Sequence, residues 1–310
     1  MELPHTAGIQ ILEQSASSLA ESMFKNFSQL IFPALTALLL AAPGALHAGF
    51  GNDAFEDDPA LRQDDDLDWP EVEFPSAEQR GKGFKAGESF EYRAQWGWFR
   101  KAGRIAFSTE ASDDPDQPAL IVKTETASAG MIRKFYPMTL VATTVLDAEN
   151  WRMLRNETHG KVRSEESSTV TLFDFDRALM NYEDEIEPEY SRIRELPYDC
   201  PVDYSSAFLQ LRGMDLAVGK TFPLFVSTKG KFYYAVLKVM EMETIDTDIG
   251  DIECFRLEPI SSFPVSKVFR EGGKMAVWIT NDERRIPVRF DVKTSVGNAS
   301  IRLEEYTLSE

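Results

Sequence analysis

The feature that most constrains this chain is a period-two alternation of apolar and polar side chains that begins near Glu88 and recurs, with short breaks, to Thr307. Successive side chains of an extended strand leave opposite faces, so such alternation describes a pleated surface with one packed face and one wet face. The stretch GESFEYRAQWGWFRKAGRIAF, residues 87–107, sets the pattern. Phe90, Tyr92, Ala94 and Trp96 fall on one face, Glu91, Arg93 and Gln95 on the other, and Ile105 and Phe107 return on a second strand to the apolar face. The same reading predicts strands over 88–96, 102–109, 120–127, 139–146, 152–157, 168–174 and 179–183, and after a break over 221–226, 231–243, 252–259, 275–280, 287–292 and 299–307. Turn chemistry separates them, at Asp113-Asp114-Pro115, Asp147–Asn150, Lys229-Gly230, Asp248–Gly250, Asn281–Glu283 and Val296–Asn298. The expectation is a mainly β fold: a large antiparallel meander of about a dozen strands, curled into a barrel or half-barrel. Residues 81–310 are expected to form this as a single domain.

One segment breaks the alternation. DYSSAFLQLRG, residues 203–213, predicts a short helix, with Asp203 accepting from free first-turn amides and Gly213 closing the end at positive φ. Phe208, Leu209 and Leu211 would supply its buried side and let it cover one open end of the curled sheet.

The residues ahead of the sheet read differently. MFKNFSQLIFPALTALLLAAPGALHA, residues 23–48, carries a lone cation, an apolar run and a small-residue ending, the pattern of a signal peptide cleaved after Ala48, with Ala45 as the alternative. Residues 1–22 would then precede the true start at Met23. Export to the periplasm follows, with secretion as the alternative, and no transmembrane segment remains after cleavage. No Cys stands near the cleavage region to carry a lipoprotein anchor. Residues 49–80 are expected to be a disordered acidic linker, because eleven acids stand between Gly51 and Gln79 against the single base Arg62. With a net charge of −18, the chain is not expected to seek nucleic acid or anionic lipid.

Residue counts prune the chemistry. Of three histidines, His5 and His47 fall in the removed leader, and His159 sits in NETHGKV, which reads as an exposed turn. One His and two Cys, Cys200 and Cys254, supply neither a metal site nor a catalytic triad, and no cofactor is implied. The two cysteines are a candidate disulfide; the alternative is that Cys254 is a buried strand residue. Catalysis would rest on carboxylates alone, such as those of residues 183–190 or Asp174 with Asp176, and consecutive acids in a turn are expected to stay solvated. Binding candidates are clearer. Trp98 and Phe99 break the alternation at a hairpin tip, Trp96 lies beside them, Arg212 lies at the end of the helix, and Trp278 precedes a turn carrying Asp282, Arg284 and Arg285. For Arg212 the other reading is a structural salt bridge between loop and sheet.

Several short patterns in fixed order resemble a family of exported bacterial proteins, the domain-of-unknown-function family 3108. They are Gly87-Glu88 with Tyr92, Gly97 and Ala102-Gly103, then Phe173-Asp174, then Ser206, Ala207 and Arg212 on the helix, then Gly219, Gly250, Cys254 and Pro259. The stretch VWITNDERRIPVRF follows, matching at Trp278, Thr280, Asp282, Pro287 and Val288, and then Gly297, Ile301 and Leu303. Where the family commonly has Pro or a small apolar residue after the Asp that precedes the helix Ser, this chain has Tyr204 and Ser205. The resemblance implies an exported β-rich domain and no particular activity. The resulting expectation is a non-enzymatic binding module for an apolar or amphipathic ligand, a lipid or glycolipid of the cell envelope. Two alternatives stand beside it: a structural or partner-binding envelope protein tethered by the acidic linker, and a carboxylate-dependent glycan hydrolase.

Overall fold

The computed structural model describes residues 67–114, 117–263, 275–294 and 297–309. The expected upstream start, the signal peptide and residues 49–66 of the acidic segment lie outside the described residues. A short helix, α1 (Ala77–Gly81), leads into β1 (Ser89–Trp96), β2 (Phe99–Ala111), β3 (Ala119–Ser128), the helix α2 (Gly130–Phe135), β4 (Met138–Asp147), β5 (Met153–Val162), β6 (Glu165–Asp174) and β7 (Leu179–Asp184). A 3-10 turn at Pro188–Tyr190 precedes β8 (Arg192–Glu195), β9 (Pro201–Val202) and the helix α3 (Tyr204–Arg212). The chain then returns through β10 (Thr221–Thr228), β11 (Lys231–Thr247), β12 (Gly250–Phe263), β13 (Met275–Thr280), β14 (Pro287–Thr294) and β15 (Gly297–Thr307). Among the described residues no helix is long and apolar enough to cross a membrane.

All fifteen strands form one sheet in the order β8-β7-β6-β5-β4-β3-β2-β1-β15-β14-β13-β12-β11-β10-β9, antiparallel throughout except for the parallel pair β9 and β10. The first and last long strands, β1 and β15, are neighbours in the middle of the sheet, and the backbone ladder is left open between β8 and β9. Side chains bring its ends together. Ser227 on β10 donates to the Met180 sulfur on β7 at 3.7 Å. At the β10–β11 turn, a Cβ placed on Gly230 would fall 2.8 Å from the Tyr182 ring of β7. The sheet therefore curls almost full circle without hydrogen-bonded closure. The two strands that the alternation does not predict are β8 and β9, which are short and lie at the sheet edges.

The helix α3 forms where expected. Asp203 accepts from Ser206 N at 2.7 Å, and Asp203 N donates to Ser206 Oγ at 3.0 Å, a reciprocal cap. Gly213 closes the helix at φ −79°, not in the left-handed region expected of it. The glycine is required by proximity: a Cβ on Gly213 would lie 2.6 Å from Gln79 O, and one on Gly83 would lie 1.9 Å from Leu209 O. The loop after α1 thus runs directly against α3.

That contact moves the start of the domain. Residues 67–80, expected to end the disordered linker, pack onto the sheet. Trp69 meets the rings of Tyr198, Phe225 and Phe263 edge-on at 5.8, 5.9 and 5.3 Å, and Phe74 meets Tyr198 at 4.9 Å. Buried Arg80 donates to Pro75 O at 2.6 Å and Asn150 O at 2.8 Å. Two aromatics and one buried guanidinium offset the solvation of the surrounding acids, which composition alone does not weigh.

Candidate functional site

Interior-facing side chains differ across the sheet. From β1, β15, β14 and β13 the inward positions carry Phe90, Tyr92, Ala94, Ile301, Leu303, Phe290, Val277 and Ile279, all buried. Tyr92 disposes of its one polar group by donating to Pro287 O at 2.8 Å. Burial raises its phenol pKa, with Arg212 opposing. From β3 to β6 the inward positions carry, beside buried apolar residues such as Val122, Leu140, Leu146 and Met153, a group of hydroxyls and one amide, Thr124, Thr126, Thr144, Asn156, Thr158, Ser167, Thr169 and Thr171, all buried.

The helix α3 lies between these walls and matches each. Phe208 meets Phe290 at 3.8 Å and Phe107 at 6.2 Å between ring centroids. On the other side Ser205 Oγ and Thr124 Oγ1 share a hydrogen bond of 2.8 Å, and Asp203 Oδ2 accepts from Thr144 Oγ1 at 2.7 Å and Asn156 Nδ2 at 3.3 Å. Asn156 Nδ2 also donates to Thr144 Oγ1 at 2.9 Å. These bonds answer the buried Asp203 carboxylate with neutral donors.

Beyond the reach of α3 the hydroxyl wall continues without such answers. Thr158, 2 % exposed, and Ser167, 3 % exposed, have side-chain oxygens with no hydrogen-bond partner among the described residues. An unmade hydrogen bond of this kind costs about 1–3 kcal/mol. The register joins them to a charged edge: Thr158 pairs with Thr169, Thr169 with Asp184, and Gly160 with Ser167. Asp184, 1 % exposed, accepts from Ile186 N at 3.1 Å and Glu187 N at 2.9 Å through Oδ1. Burial raises the neighbouring Tyr182 phenol pKa, and the Asp184 charge adds to the rise. Across the seam, Lys229 sits half-buried in the β10–β11 turn, its pKa drawn down to about 8 by burial with Asp184 opposing. The arrangement offers hydroxyls, a carboxylate and an amine at one end of the curled sheet, a set suited to hydrogen-bonding a polar group brought into the interior.

Asp184 belongs to the acidic run 183–190, which was expected to be solvated; the period of β7 turns this one acid inward with Met180 and Tyr182. Thr158 and Ser167 escaped notice because buried hydroxyls alternating along a strand look like its wet face.

The residues singled out from sequence are dispersed. Trp96 is buried, its ring stacked on Phe99 at 6.0 Å, while Trp98 at the β1–β2 turn is 81 % exposed. Arg212 is buried and paired with Glu88, donating from Nη2 to Oε1 at 2.9 Å and from Nη1 to Oε2. Its other contacts are Gly83 O at 3.4 Å, Arg284 O at 3.3 Å and the Phe90 ring, 5.2 Å from the guanidinium carbon, the surroundings of a structural salt bridge between loop and sheet. Trp278 faces outward. Its indole donates to Glu243 at 2.6 Å, and the guanidinium groups of Arg289 and Arg256 lie 4.7 and 5.8 Å from its ring. Arg284 Nε reaches Asp282 Oδ2 at 2.8 Å, and the Arg285 guanidinium lies over the Phe255 ring at 4.9 Å. His159 lies on β5, not in a turn, with Nδ1 2.7 Å from Ser168 Oγ.

Cys200 and Cys254 are separate buried thiols, both with pKa pushed up to about 12 by burial. Cys200 precedes Pro201, which is level with Phe225, Tyr234 and, on β12, Phe263. Cys254 lies nine residues farther along β12, about 30 Å away at strand rise, far beyond the reach of a disulfide.

Comparison with known proteins gives a family without an assigned activity. The family described as protein of unknown function (DUF3108) matches residues 91–304. No curated protein matches the sequence. The chain is similar to a β-barrel-like protein of domain of unknown function DUF1849 from Brucella abortus, at 8 % identity and a TM-score of 0.48, covering 72 % of this chain and 98 % of that one. It is also similar to a protein with a YmcC-like fold from Bacteroides fragilis, at 10 % identity and a TM-score of 0.32, covering 76 % and 98 %. A DUF1089 family protein from Pseudomonas aeruginosa is similar at 12 % identity and a TM-score of 0.33, covering 72 % and 94 %.

Proposed function

Since this chain belongs to the DUF3108 family, whose function is unknown, we propose from its own side chains that it is a non-catalytic binding module of the cell envelope, taking an amphipathic ligand, a lipid or glycolipid, into the curled sheet. The observation that carries this reading is the pair of buried, unpartnered oxygens on Thr158 and Ser167, beside Thr169 and Asp184. A core built for stability alone would place Val and Ala there, since isosteric apolar residues avoid the desolvation cost. The polar group of a ligand would meet these oxygens, and its apolar part would meet the wall of β1 and β13–β15. Export to the periplasm, from the leader at residues 23–48, belongs to the same proposal.

Solvent extraction of protein purified without detergent from its native envelope tests it. The extract should contain a lipid or glycolipid in near-stoichiometric amount, and Thr158→Val with Ser167→Ala should deplete it. An extract as empty as that of the double variant would end the reading.

The packing of residues 67–81 favours a second reading, in which the acid-rich stretch before Leu67 springs from a fixed point on the sheet and holds a protein partner. Capture from envelope extract with and without residues 51–66 separates the two: this reading requires a partner that only the longer chain retains.

A further inference from the structure

Two segments rich in aromatics and cations meet at one end of the sheet. The first is Gly97-Trp98-Phe99-Arg100-Lys101, the β1–β2 turn and the start of β2; the second is Gly130–Tyr136, which contains α2 and joins β3 to β4. Both connections lie at the same end because β1 to β4 are antiparallel neighbours, with Gly103 level with Ser128. They are also in contact. Ala129 N donates to Ala102 O at 2.9 Å, and a Cβ on Gly130 would lie 2.6 Å from Lys101 O. At φ 55° the Gly130 backbone takes the left-handed form that lets α2 lie flat against β2.

The helix α2 is too short to be held by its own hydrogen bonds, so its buried Ile132 anchors it. Its other apolar side chains turn outward: Met131 is 57 % exposed and Phe135 55 %, alongside Trp98. Arg100, Lys101, Arg133 and Lys134 are all exposed around them, and neither segment contains an acid. The arginines of the outer face differ. There Arg93, Arg104, Arg256, Arg289 and Arg302 are each paired with Asp or Glu, whereas among the described residues none of the four end cations makes an ion pair. Burial raises the Tyr136 phenol pKa, with Arg163 in the adjoining β5–β6 turn opposing and Glu165 at the start of β6 adding to the rise.

We infer that this end of the molecule docks on an anionic phospholipid surface, with Trp98, Met131 and Phe135 entering the interfacial layer and the four cations facing lipid phosphates. Large amphipathic rings favour the boundary between head groups and acyl chains, and unpaired Lys and Arg beside them add attraction to negative lipid. The net charge of −18, which led to the expectation that anionic lipid would be repelled, does not decide the matter. At physiological salt, charges beyond about 8 Å are screened, so the local sign governs docking. The inference does not require the interior to hold a ligand.

Vesicle cosedimentation with the purified protein tests it, using phosphatidylglycerol with phosphatidylethanolamine against phosphatidylcholine alone. Binding is expected to the anionic vesicles only, to weaken with salt, and to shift tryptophan emission to the blue, because Trp98 is the exposed tryptophan. Reversing the four cations (R100E, K101E, R133E, K134E) should weaken binding at least tenfold, given about fivefold for each cation near such a surface. Trp98→Ser with Phe135→Ser should weaken it several-fold and remove the blue shift. All six positions are exposed, so the thermal unfolding of both variants should match that of the parent protein. Equal binding to both vesicle types, no binding even at low salt, or undiminished binding by the charge-reversed protein would overturn the inference; so would capture of an acidic protein by this end without any vesicle binding.

Discussion

On one side of the interior, β1 and β13–β15 bring Phe90, Tyr92, Phe290 and Ile279 together, and the Tyr92 hydroxyl ends on a backbone carbonyl. On the other side β3–β6 bring together nine-tenths-buried Thr, Ser and Asn side chains; those beside α3 are hydrogen-bonded, and Thr158 and Ser167 are not. The first wall obeys the rule that burial favours apolar atoms. Part of the second departs from it, with Thr, Ser and Asn interleaved among Val122, Leu140, Leu146 and Met153, within the same sheet and with the same strand geometry. Departures of this kind gather where a protein gives up stability for a site. On the proposed function, the contrast separates a stabilising wall from the hydroxyl-lined wall that would meet the ligand.

Truncation of the stabilising wall should have the largest effect. Phe290→Ala is expected to cost about 3–5 kcal/mol in urea unfolding, since it removes a fully buried ring against Phe208 and Tyr92. Arg212→Met should cost a similar 3–5 kcal/mol by stranding the buried Glu88 carboxylate, and pairing it with Glu88→Gln should recover much of the loss. Asp203→Ala removes a helix cap and the acceptor of Thr144 and Asn156, for about 2–3 kcal/mol. The hydroxyl-lined wall should respond in the opposite sense. Thr158→Val is expected to leave the ligand-free protein unchanged or about 1 kcal/mol more stable, because it deletes an unanswered hydroxyl of the same shape. A clear destabilisation by Thr158→Val would erase the distinction between the walls.

The remaining expected effect is a pH dependence. Lys229 has a folded pKa of about 8, below the usual lysine value of 10.5, so between these values the unfolded chain binds more protons than the folded one. Its contribution to stability should therefore rise with pH across that window and stay at its unfavourable level below pH 8. The tyrosines and cysteines with raised pKa values act oppositely at high pH, so the test is the difference between the parent protein and Lys229→Met. The stability advantage of the variant should shrink as pH rises from 8 to 10.5.

The alternation in the sequence made most of the sheet legible, and the Asp203 to Gly213 pattern made α3 legible, because both depend on local periodicity and caps. The edge strands β8 and β9 were not legible, being too short to establish a period. The helices α1 and α2 depend on tertiary anchors, Arg80 and Ile132, that a scan for amphipathic turns does not reveal. The hydroxyl-lined wall was obscured by a reversal of the usual rule. Along β6, Ser167, Thr169 and Thr171 point inward while Val170 is only half-buried and Leu172 is 42 % exposed on the outside. A reading that sends apolar residues inward would turn this strand the wrong way, and only its registry with β5 and β7 corrects it. Trp98 was singled out as a candidate contact residue from its place at the hairpin tip, but its nearness to Met131 and Phe135 required the pairing of β2 with β3.

Crystallographic density from protein purified without detergent from its native envelope tests the hydroxyl-lined wall most directly. Continuous density, larger than water, is expected within hydrogen-bonding distance of Thr158 Oγ1 and Ser167 Oγ and running toward the wall of Phe90 and Phe290. An interior filled by protein side chains, with both hydroxyls bonded to the chain itself or to isolated waters, would contradict it.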